Sequence, residues 1–303
     1  MSDRSFFKRA KYNKTIEITE EELDRLKGIL RGILEDVILV ADKYKLRYVL
    51  CGGSCLGAVR HQGFIPWDDD IDLMLPRKDY DMFIRIFDKE MGDKYVLCAP
   101  SRGRGHGMSH TQVKLKGTVY QSFNELSKKN EDDKGIFVDI FVMENTFDSN
   151  VFRKLHGVLC LAAGYMLTCR KTYEDFPGLK PYIRGNRELY KNFSKKAIIG
   201  RLFKRISLDT MARITDRIYS LSPNDKSRLI TIPSGRGHYF TETYERKMVT
   251  ERRLVKFENI GAYIPKGYKD YLSRLYGEDY MILPSEEKKE SHPIMKLEFG
   301  KYK

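Results

Sequence analysis

The sequence has no hydrophobic run long enough to cross a membrane and no cysteine spacing that indicates a disulfide framework. Its longest apolar window, residues 158–169, falls well short of the roughly 20 residues that a spanning helix needs. We interpret this window as a buried helix. The five cysteines are an odd number, and the first residues show no signal-peptide pattern. We therefore expect a protein of the reducing cytoplasm.

Acidic residues are also in short supply, because 42 Asp and Glu face 55 Lys and Arg and leave a formal net charge of +13. No internal repeat or low-complexity tract is present, and 41% hydrophobic residues are enough for a soluble globular core. The positive charge predicts an anionic partner. That partner can be a nucleic acid, a phosphorylated small molecule or glycan, or an acidic membrane surface.

The periodicity of the chain predicts an α+β fold whose mixed sheet is built within the first half. Residues 19–22 are typical of a capping box, which opens a long amphipathic helix. Strands are predicted at 48–51, 71–75, 95–98, 113–115, 119–123, 136–142, 253–257 and 262–265, and helices at 78–88, throughout 150–221 and at 269–276. We divide the chain into a basic arm (1–18), a catalytic core (19–149), a mainly helical subdomain (150–250) and a segment that completes the core (251–303).

One short stretch reverses the charge balance, since four of the five residues from Asp68 to Asp72 are aspartates. Such a cluster repels itself unless cations neutralise it. On a strand, Asp70 and Asp72 point to one side while Ile71 and Leu73 face the core. Two carboxylates in this arrangement suit one or two hard divalent ions that keep open positions for phosphate oxygens. The ordinary alternative is a solvated acidic turn.

A third carboxylate lies in the apolar stretch GIFVDIFVME, where Asp139 stands between Val138 and Ile140. A buried carboxylate is costly without a partner. We expect Asp139 to share the metal of Asp70 and Asp72. The alternative is a buried aspartate that backbone donors or an arginine satisfy.

These features together resemble the nucleotidyltransferase fold of the polymerase-β type: a glycine pair ending one strand, a helix, an Asp-x-Asp on the next strand and an aspartate on a third. The stretch GGSCLGAVRHQGFIPWDDDIDLMLPR is similar, more narrowly, to the signature of the LicD family. These phosphotransferases, to which the fukutin-related proteins are also similar, move phosphocholine or another phospho-alcohol from a CDP-linked donor onto a glycan. The stretches VKLKGTVY, GIFVDIFV and IPKGYKDYLSRLYGEDYMILPSEEKKESHP support the resemblance. It covers roughly residues 20–142 and 258–293 and leaves the helical region unmatched.

The resemblance implies a metal-assisted phosphoryl transfer to a hydroxyl of a cell-surface glycan or its lipid-linked precursor, with CMP as the leaving group. Asp70, Asp72 and Asp139 are then the catalytic residues and the ligands of Mg²⁺ or Mn²⁺, and Asp139 is also a candidate general base. Glycine N–H groups, a hydroxyl and cationic side chains would contact the donor phosphates. The candidate donor-binding residues are Gly52, Gly53, Ser54, Arg60, His61, Trp67, Lys114 and His292.

Most of the donor-binding candidates also have an ordinary structural interpretation. The glycines and Ser54 can form a simple strand-to-helix turn in which Ser54 caps the helix, and His61 can cap a loop. Trp67 can stack on cytosine or belong to the core, and Lys114 can be an exposed lysine of an edge strand. No role is implied for His292.

Two further patterns each have a functional and an ordinary interpretation. His106 and His110 have the i, i+4 spacing of a helical zinc site, but the surrounding glycines argue against a helix and therefore against zinc. The basic amphipathic stretch 184–206 is suited to an anionic membrane surface. It is equally typical of a solvated helix packed on its own core, so peripheral association with the inner membrane face stays open.

Three rival functions remain. A nucleotidyltransferase acting on RNA would share the basic charge and the three carboxylates, but would show a linear stripe of basic and aromatic residues. A non-catalytic binding module would have no need of three costly carboxylates. A LicD-type enzyme could also use CDP-glycerol, CDP-ribitol or another activated donor, and the abundance of aromatic residues does not discriminate among them.

Overall fold

The computed structural model describes residues 16–123, 130–285, 289 and 292–302. The basic stretch at residues 6–14, which forms most of the predicted N-terminal arm, lies outside the described residues. The strands are β1 (Val49–Leu50), β2 (Asp72–Pro76), β3 (Tyr95–Cys98), β4 (Thr111–Leu115), β5 (Val119–Ser122), β6 (Phe137–Asn145), β7 (Leu229–Thr231), β8 (Thr243–Glu245), β9 (Arg252–Phe257), β10 (Ile260–Pro265) and β11 (Ile294–Glu298). The helices are α1 (Glu20–Lys43), α2 (Gly52–Arg60), α3 (Arg77–Glu90), α4 (Asn150–Ile183), α5 (Arg187–Arg201), α6 (Leu208–Tyr219), α7 (His238–Thr241), α8 (Arg246–Thr250) and α9 (Tyr268–Tyr276).

Helix α1 begins at the predicted capping box. The Thr19 hydroxyl accepts the backbone N–H of Glu22, and the Glu22 carboxylate accepts the backbone N–H of Thr19 at 2.9 Å. The two bonds satisfy donors that a helix start leaves unpaired. One face of α1 then packs into the main core through Leu26, Leu30 and Leu34.

A curled sheet of seven strands organises the molecule and confirms the predicted α+β class. The strand order is β1-β2-β6-β4-β3, and β7 and β8 extend the sheet from the far end of β6. Strands β2 and β6 run parallel, whereas the other pairs in this sheet are antiparallel. The parallel pair matters for function because it sets Asp72 directly beside Asp139.

Strands β7 and β8 come from the part of the chain that the sequence assigned to the helical subdomain. Glu144 and Asn145 at the end of β6 pair with Thr231 and Ile230, so the sheet continues into this region. Helices α4, α5 and α6 lie between β6 and β7. The division into domains stays a prediction, but the sheet itself includes residues on both sides of the helical insertion.

Helix α4 is only partly buried, and the expectation that residues 158–169 form a buried helix is wrong. Cys160 packs against Tyr219 and Tyr239, but Val158 is 61% exposed and Tyr165 is 50% exposed. The reason is that the neighbouring elements cover α4 on one side. Among the described residues, no helix has both the length and the apolar character needed to cross a bilayer.

Helix α5 follows the ordinary alternative given for the basic stretch 184–206. Leu189 and Phe193 are buried in one cluster with Leu179 and Ile183 of α4. The apolar face of α5 therefore mostly covers its own core, while Arg187, Lys191, Lys195 and Arg201 are exposed.

Candidate active site

A cavity of about 1220 Å³ opens where β2 and β6 begin. The sheet and the start of α2 form one wall, and α4 forms another. Asp68, Asp70, Asp72 and Asp139 all line it. The cavity therefore brings together three carboxylates of the aspartate cluster and one from a distant part of the chain.

The parallel pairing of β2 and β6 explains how this happens. Asp72 and Asp139 are register partners on adjacent strands, and the Asp139 N–H donates to the Ile71 carbonyl at 2.9 Å. The strand begins at Asp72, so Asp70 lies in the segment before it and not on the strand as the sequence predicted. Asp70 is nevertheless directed into the cavity and is 8% exposed.

Asp139 is held by side chains from β4 and the segment before it. The Gln112 amide donates to Asp139 Oδ1 at 2.9 Å, and His110 Nε2 lies 3.4 Å from the same oxygen. Burial raises the pKa of Asp139, but His110, Gln112 and the charge of Lys114 outweigh burial and hold this pKa below its ordinary value. The HGMSH segment is not the zinc site that its histidine spacing would allow, and no pattern in the sequence indicated that His110 and Gln112 are partners of Asp139.

Asp69, which the sequence argument did not single out, fixes the position of His292. Its carboxylate accepts the His292 backbone N–H at 3.2 Å and lies 2.8 Å from His292 Nδ1, and the Tyr120 hydroxyl donates to it at 2.9 Å. A carboxylate bonded to Nδ1 favours the tautomer with a proton on that nitrogen and leaves Nε2 as the acceptor. Asp69 is therefore a positioning residue for a histidine that lines the cavity.

The glycine pair lets the aspartates approach the backbone. Gly52 has a φ of +52°, and a Cβ added there would lie 2.8 Å from a carboxylate oxygen of Asp72. A Cβ at Gly53 would lie equally close to Asp68. Both carboxylates thus lie at the N-terminal end of α2, where the helix dipole favours negative charge.

Two details of this turn differ from the expectation. Helix α2 begins at Gly52 with Cys51 as its N-cap, so Ser54 does not cap it and instead accepts the backbone N–H of Asp72 at 2.9 Å. The Gly52 N–H donates to the Tyr271 hydroxyl at 3.0 Å. Ser54 is buried and supports the strand that carries Asp72.

The remaining predicted residues separate into those that line the cavity and those that support it. Arg60 lines the cavity and donates to the Tyr280 carbonyl at 3.0 Å and to His61 Nε2 at 2.9 Å. His61 lies behind Arg60 and is not part of the lining. Trp67 both lines the cavity and packs against the main core, so its two interpretations are compatible.

Lys114 is fully buried, which excludes the exposed edge-strand alternative. Its Nζ lies 4.4 Å from the centroid of the Phe137 ring, and the residue does not line the cavity. Its charge acts at a distance, through the pKa of Asp139.

The loop between β7 and α7, which was not predicted to belong to the site, places Arg236 in the cavity wall. The buried Glu242 carboxylate accepts the Gly237 N–H at 2.6 Å and thereby anchors the loop. Burial raises the pKa of Glu242 to about 7, although Gly237 and Arg236 act in the opposite direction. The signal available in the sequence was a Gly-Arg-Gly run after a short strand.

The donor set of the cavity fits a hard divalent cation. Asp68, Asp70, Asp72 and Asp139 are among the carboxylates that line it, and ligand atoms of Asp69, Asp70 and His292 lie within 4.8 Å of one another. Oxygen-rich groups of this kind are the ligands that Mg²⁺ and Mn²⁺ prefer. His106 belongs elsewhere: its Nε2 lies 2.9 Å from Asp133, so the two histidines of the HGMSH segment do not form one site.

A mixed sheet with aspartates on adjacent parallel strands, beside a glycine turn that opens a helix, defines a nucleotidyltransferase-type domain. Residues 45–156 match the family described as LicD/FKTN/FKRP, nucleotidyltransferase domain. Residues 45–156 therefore form a LicD-family domain, which confirms the predicted resemblance and supports a phosphotransferase of the LicD type.

Similarity to one relative extends beyond the domain. The chain is 24% identical to the lipopolysaccharide cholinephosphotransferase LicD of Haemophilus influenzae over 291 residues, which are 93% of this chain and 97% of that protein. An uncharacterised protein of Rickettsia typhi is 35% identical over 77 residues, about a quarter of each chain (23% and 25%). The first similarity includes the helical region that no sequence motif matched.

Proposed function

We propose that the protein transfers phosphocholine from a CDP-linked donor to a hydroxyl of a cell-surface glycan or of its lipid-linked precursor. The oxygen of the acceptor hydroxyl forms the new bond to the phosphorus that bears choline. The bond between that phosphorus and the bridging oxygen breaks, and CMP leaves with the bond's electrons. Similarity to a lipopolysaccharide cholinephosphotransferase over almost the whole chain supports this choice of group and acceptor.

The observation that carries the proposal is the pairing of Asp72 with Asp139 in one cavity with Asp70. These carboxylates would hold one or two Mg²⁺ or Mn²⁺ ions, with Asp69 and His292 close by. When bound, the ions neutralise charge on the transferring phosphate and on the leaving group. A cluster of buried and half-buried carboxylates would repel itself without such cations.

The other residues of the cavity are proposed to bind and orient the two substrates. Arg60 and Arg236, both in the cavity wall, would contact the donor phosphates. Trp67 would cover the cytosine, and nearby aromatic faces such as Tyr276 and Tyr280 suit a quaternary ammonium group. Asp139 would accept the proton of the acceptor hydroxyl.

Thermal unfolding of the purified protein tests the donor without requiring the acceptor. The protein is heated with Mg²⁺ or Mn²⁺ and with CDP-choline, CDP-glycerol, CDP-ribitol, CTP, a UDP-sugar or a short RNA. A ligand at about a hundred times its Kd stabilises the folded state by roughly 2.7 kcal/mol, which is a readable shift in Tm. We expect a metal-dependent shift with CDP-choline.

The matched controls are two aspartate variants. Asp72→Asn should lose the shift, while Asp93→Asn, a change at an exposed turn residue, should retain it. Stabilisation by RNA or CTP alone would contradict the proposal and favour an RNA nucleotidyltransferase. Stabilisation by CDP-ribitol or CDP-glycerol alone would keep the reaction but change the donor.

A further inference from the structure

The helical segment 150–206 concentrates the positive charge of the chain. It contains thirteen Lys and Arg against three Asp and Glu, and so carries ten of the thirteen excess positive charges. Many of these side chains are exposed. They are Lys154, Arg184, Arg187, Lys191, Lys195, Arg201, Lys204 and Arg205. A surface of this kind attracts an extended anionic partner.

The same segment exposes a row of large apolar side chains, which we call the docking face. Its members recur at helical spacing along the first turns of α4, and each is between 44% and 66% exposed. The docking face consists of Val151, Phe152, Leu155, Val158 and Leu159. The opposite side of α4 packs against the rest of the protein, so these five residues are not part of the core.

The docking face continues into the mouth of the catalytic cavity. Leu161 and Tyr165, on the next turns of α4, are exposed and also line the cavity. On the 275–285 segment, Ile282 and Leu283 are 70% and 60% exposed and line it too. The cavity thus has carboxylates inside and exposed apolar side chains at its rim, an unusual arrangement for a mouth that faces water alone.

We infer that the docking face and the rim seat the protein on an anionic lipid bilayer, with the cavity open toward the headgroups. A bilayer interface provides apolar depth for the leucines and phenylalanine of α4 and negative charge for the exposed lysines and arginines of the same segment. The sequence left peripheral association open on the basis of the stretch 184–206; the inference takes it up and places the apolar contact on α4 instead of α5. It rests on the proposed function only in that a lipid-linked acceptor would be held at this surface.

Vesicle cosedimentation tests the surface directly. The whole chain is mixed with vesicles of phosphatidylcholine alone or of phosphatidylcholine with phosphatidylglycerol, and the bound fraction is measured at low and high salt. We expect binding to the anionic vesicles only, and weaker binding at high salt. A chain that stays in the supernatant with anionic vesicles at low salt overturns the inference.

Variants locate the contact. Leu155→Gln with Val158→Gln should weaken vesicle binding about tenfold or more, and each of Lys191→Gln and Lys195→Gln about fivefold. Leu39→Gln on α1 and Lys256→Gln on β9 are matched exposed controls that should bind as the unmodified protein does. Equal binding by the α4 double variant, or a change in its oligomeric mass that shows the face is covered by a second copy, overturns the inference.

The Asp72→Asn variant separates this inference from the proposed function. Its vesicle binding should be unchanged, because the docking face does not include the aspartates. Loss of the CDP-choline response with intact vesicle binding would therefore concern the reaction alone. A CDP-choline response without vesicle binding would refute the membrane surface alone.

Discussion

The sheet and the helical segment 150–206 form two walls of one cavity, and their charges are organised in opposite ways. The sheet wall carries buried and half-buried carboxylates, and the Gln112 amide and His110 hold Asp139 in place. The helical wall carries most of the chain's excess positive charge on exposed side chains. Charges that take part in chemistry need fixed positions, whereas charges that attract a surface act together and tolerate movement. The comparison predicts that single substitutions matter greatly on the sheet wall and little on the helical wall.

The strongest test on the sheet wall is Asp72→Asn. We expect turnover to fall by about a hundredfold to a thousandfold, since an interaction aimed at the reacting phosphate would be lost. The unfolding free energy should not fall, because one negative charge leaves a repelling cluster. Steady-state kinetics with labelled CDP-choline and urea unfolding measure the two effects. A variant with near-normal turnover would refute the catalytic role of this carboxylate.

The glycine turn of the sheet wall can be tested with a matched pair of glycine-to-alanine variants. Gly52→Ala and Gly117→Ala both place a side chain at a positive φ, +52° and +74°, and each should cost about 1–2 kcal/mol of stability. Only Gly52→Ala would push against the Asp72 carboxylate, whereas a Cβ at Gly117 meets nothing within 4 Å. We expect turnover to fall by about a hundredfold in the first and to change little in the second.

Equal turnover in the two alanine variants would show that the approach of Asp72 to the backbone is not needed. A loss in both would show that backbone strain alone explains the effect. Circular dichroism at the assay temperature confirms that both variants are folded when they are compared.

A third prediction concerns the loop that carries Arg236 and uses the raised pKa of Glu242, about 7 against a usual value of 4.5. Between these pH values the folded state binds the proton more tightly than the unfolded state, so stability falls as the pH rises from about 4.5 to 7. The effect is at most about 3 kcal/mol, and we expect about 2. Urea unfolding at pH 5 and pH 8 measures it.

In Glu242→Gln this part of the pH dependence should vanish. The unfolding free energy of the variant minus that of the unmodified protein should therefore rise toward pH 8, because only the unmodified protein loses this stability. The second buried glutamate with a raised pKa, Glu144, is common to both proteins and cancels in that difference. A difference that stays constant with pH would show that Glu242 does not titrate in this range.

The sequence predicted the sheet wall well and the helical wall poorly, for a physical reason. Alternation and glycine chemistry are local, so β2, β6 and the turn at Gly52 could be placed from their own residues. The meeting of Asp72 and Asp139 in one site could also be anticipated, because a carboxylate in an apolar strand is costly to bury without a partner. The role of Asp69 could not, since it depends on His292, which lies 223 positions away.

Helix α4 shows the other side of this limit. Hydrophobicity alone predicted that residues 158–169 are buried, but burial depends on whether another element covers each face. Cys160 and Leu167 have such neighbours, whereas Val158 and Leu159 do not. The contribution of β7 and β8 to the sheet was missed for the same reason, as three-residue strands depend on their partners and carry little signal of their own.

Helix α4 itself offers a buried and an exposed leucine, and the exposed one has the smallest expected effect. Leu167→Ala removes a side chain that is 2% exposed and packs against Met211, and should lower the unfolding free energy by about 2–5 kcal/mol. Leu155→Ala removes one that is 62% exposed and should change it by no more than about 0.5 kcal/mol. Urea unfolding in the absence of lipid measures both. A large loss in Leu155→Ala would mean that this leucine is already covered in solution, and it would leave the helical wall without a free surface for the bilayer.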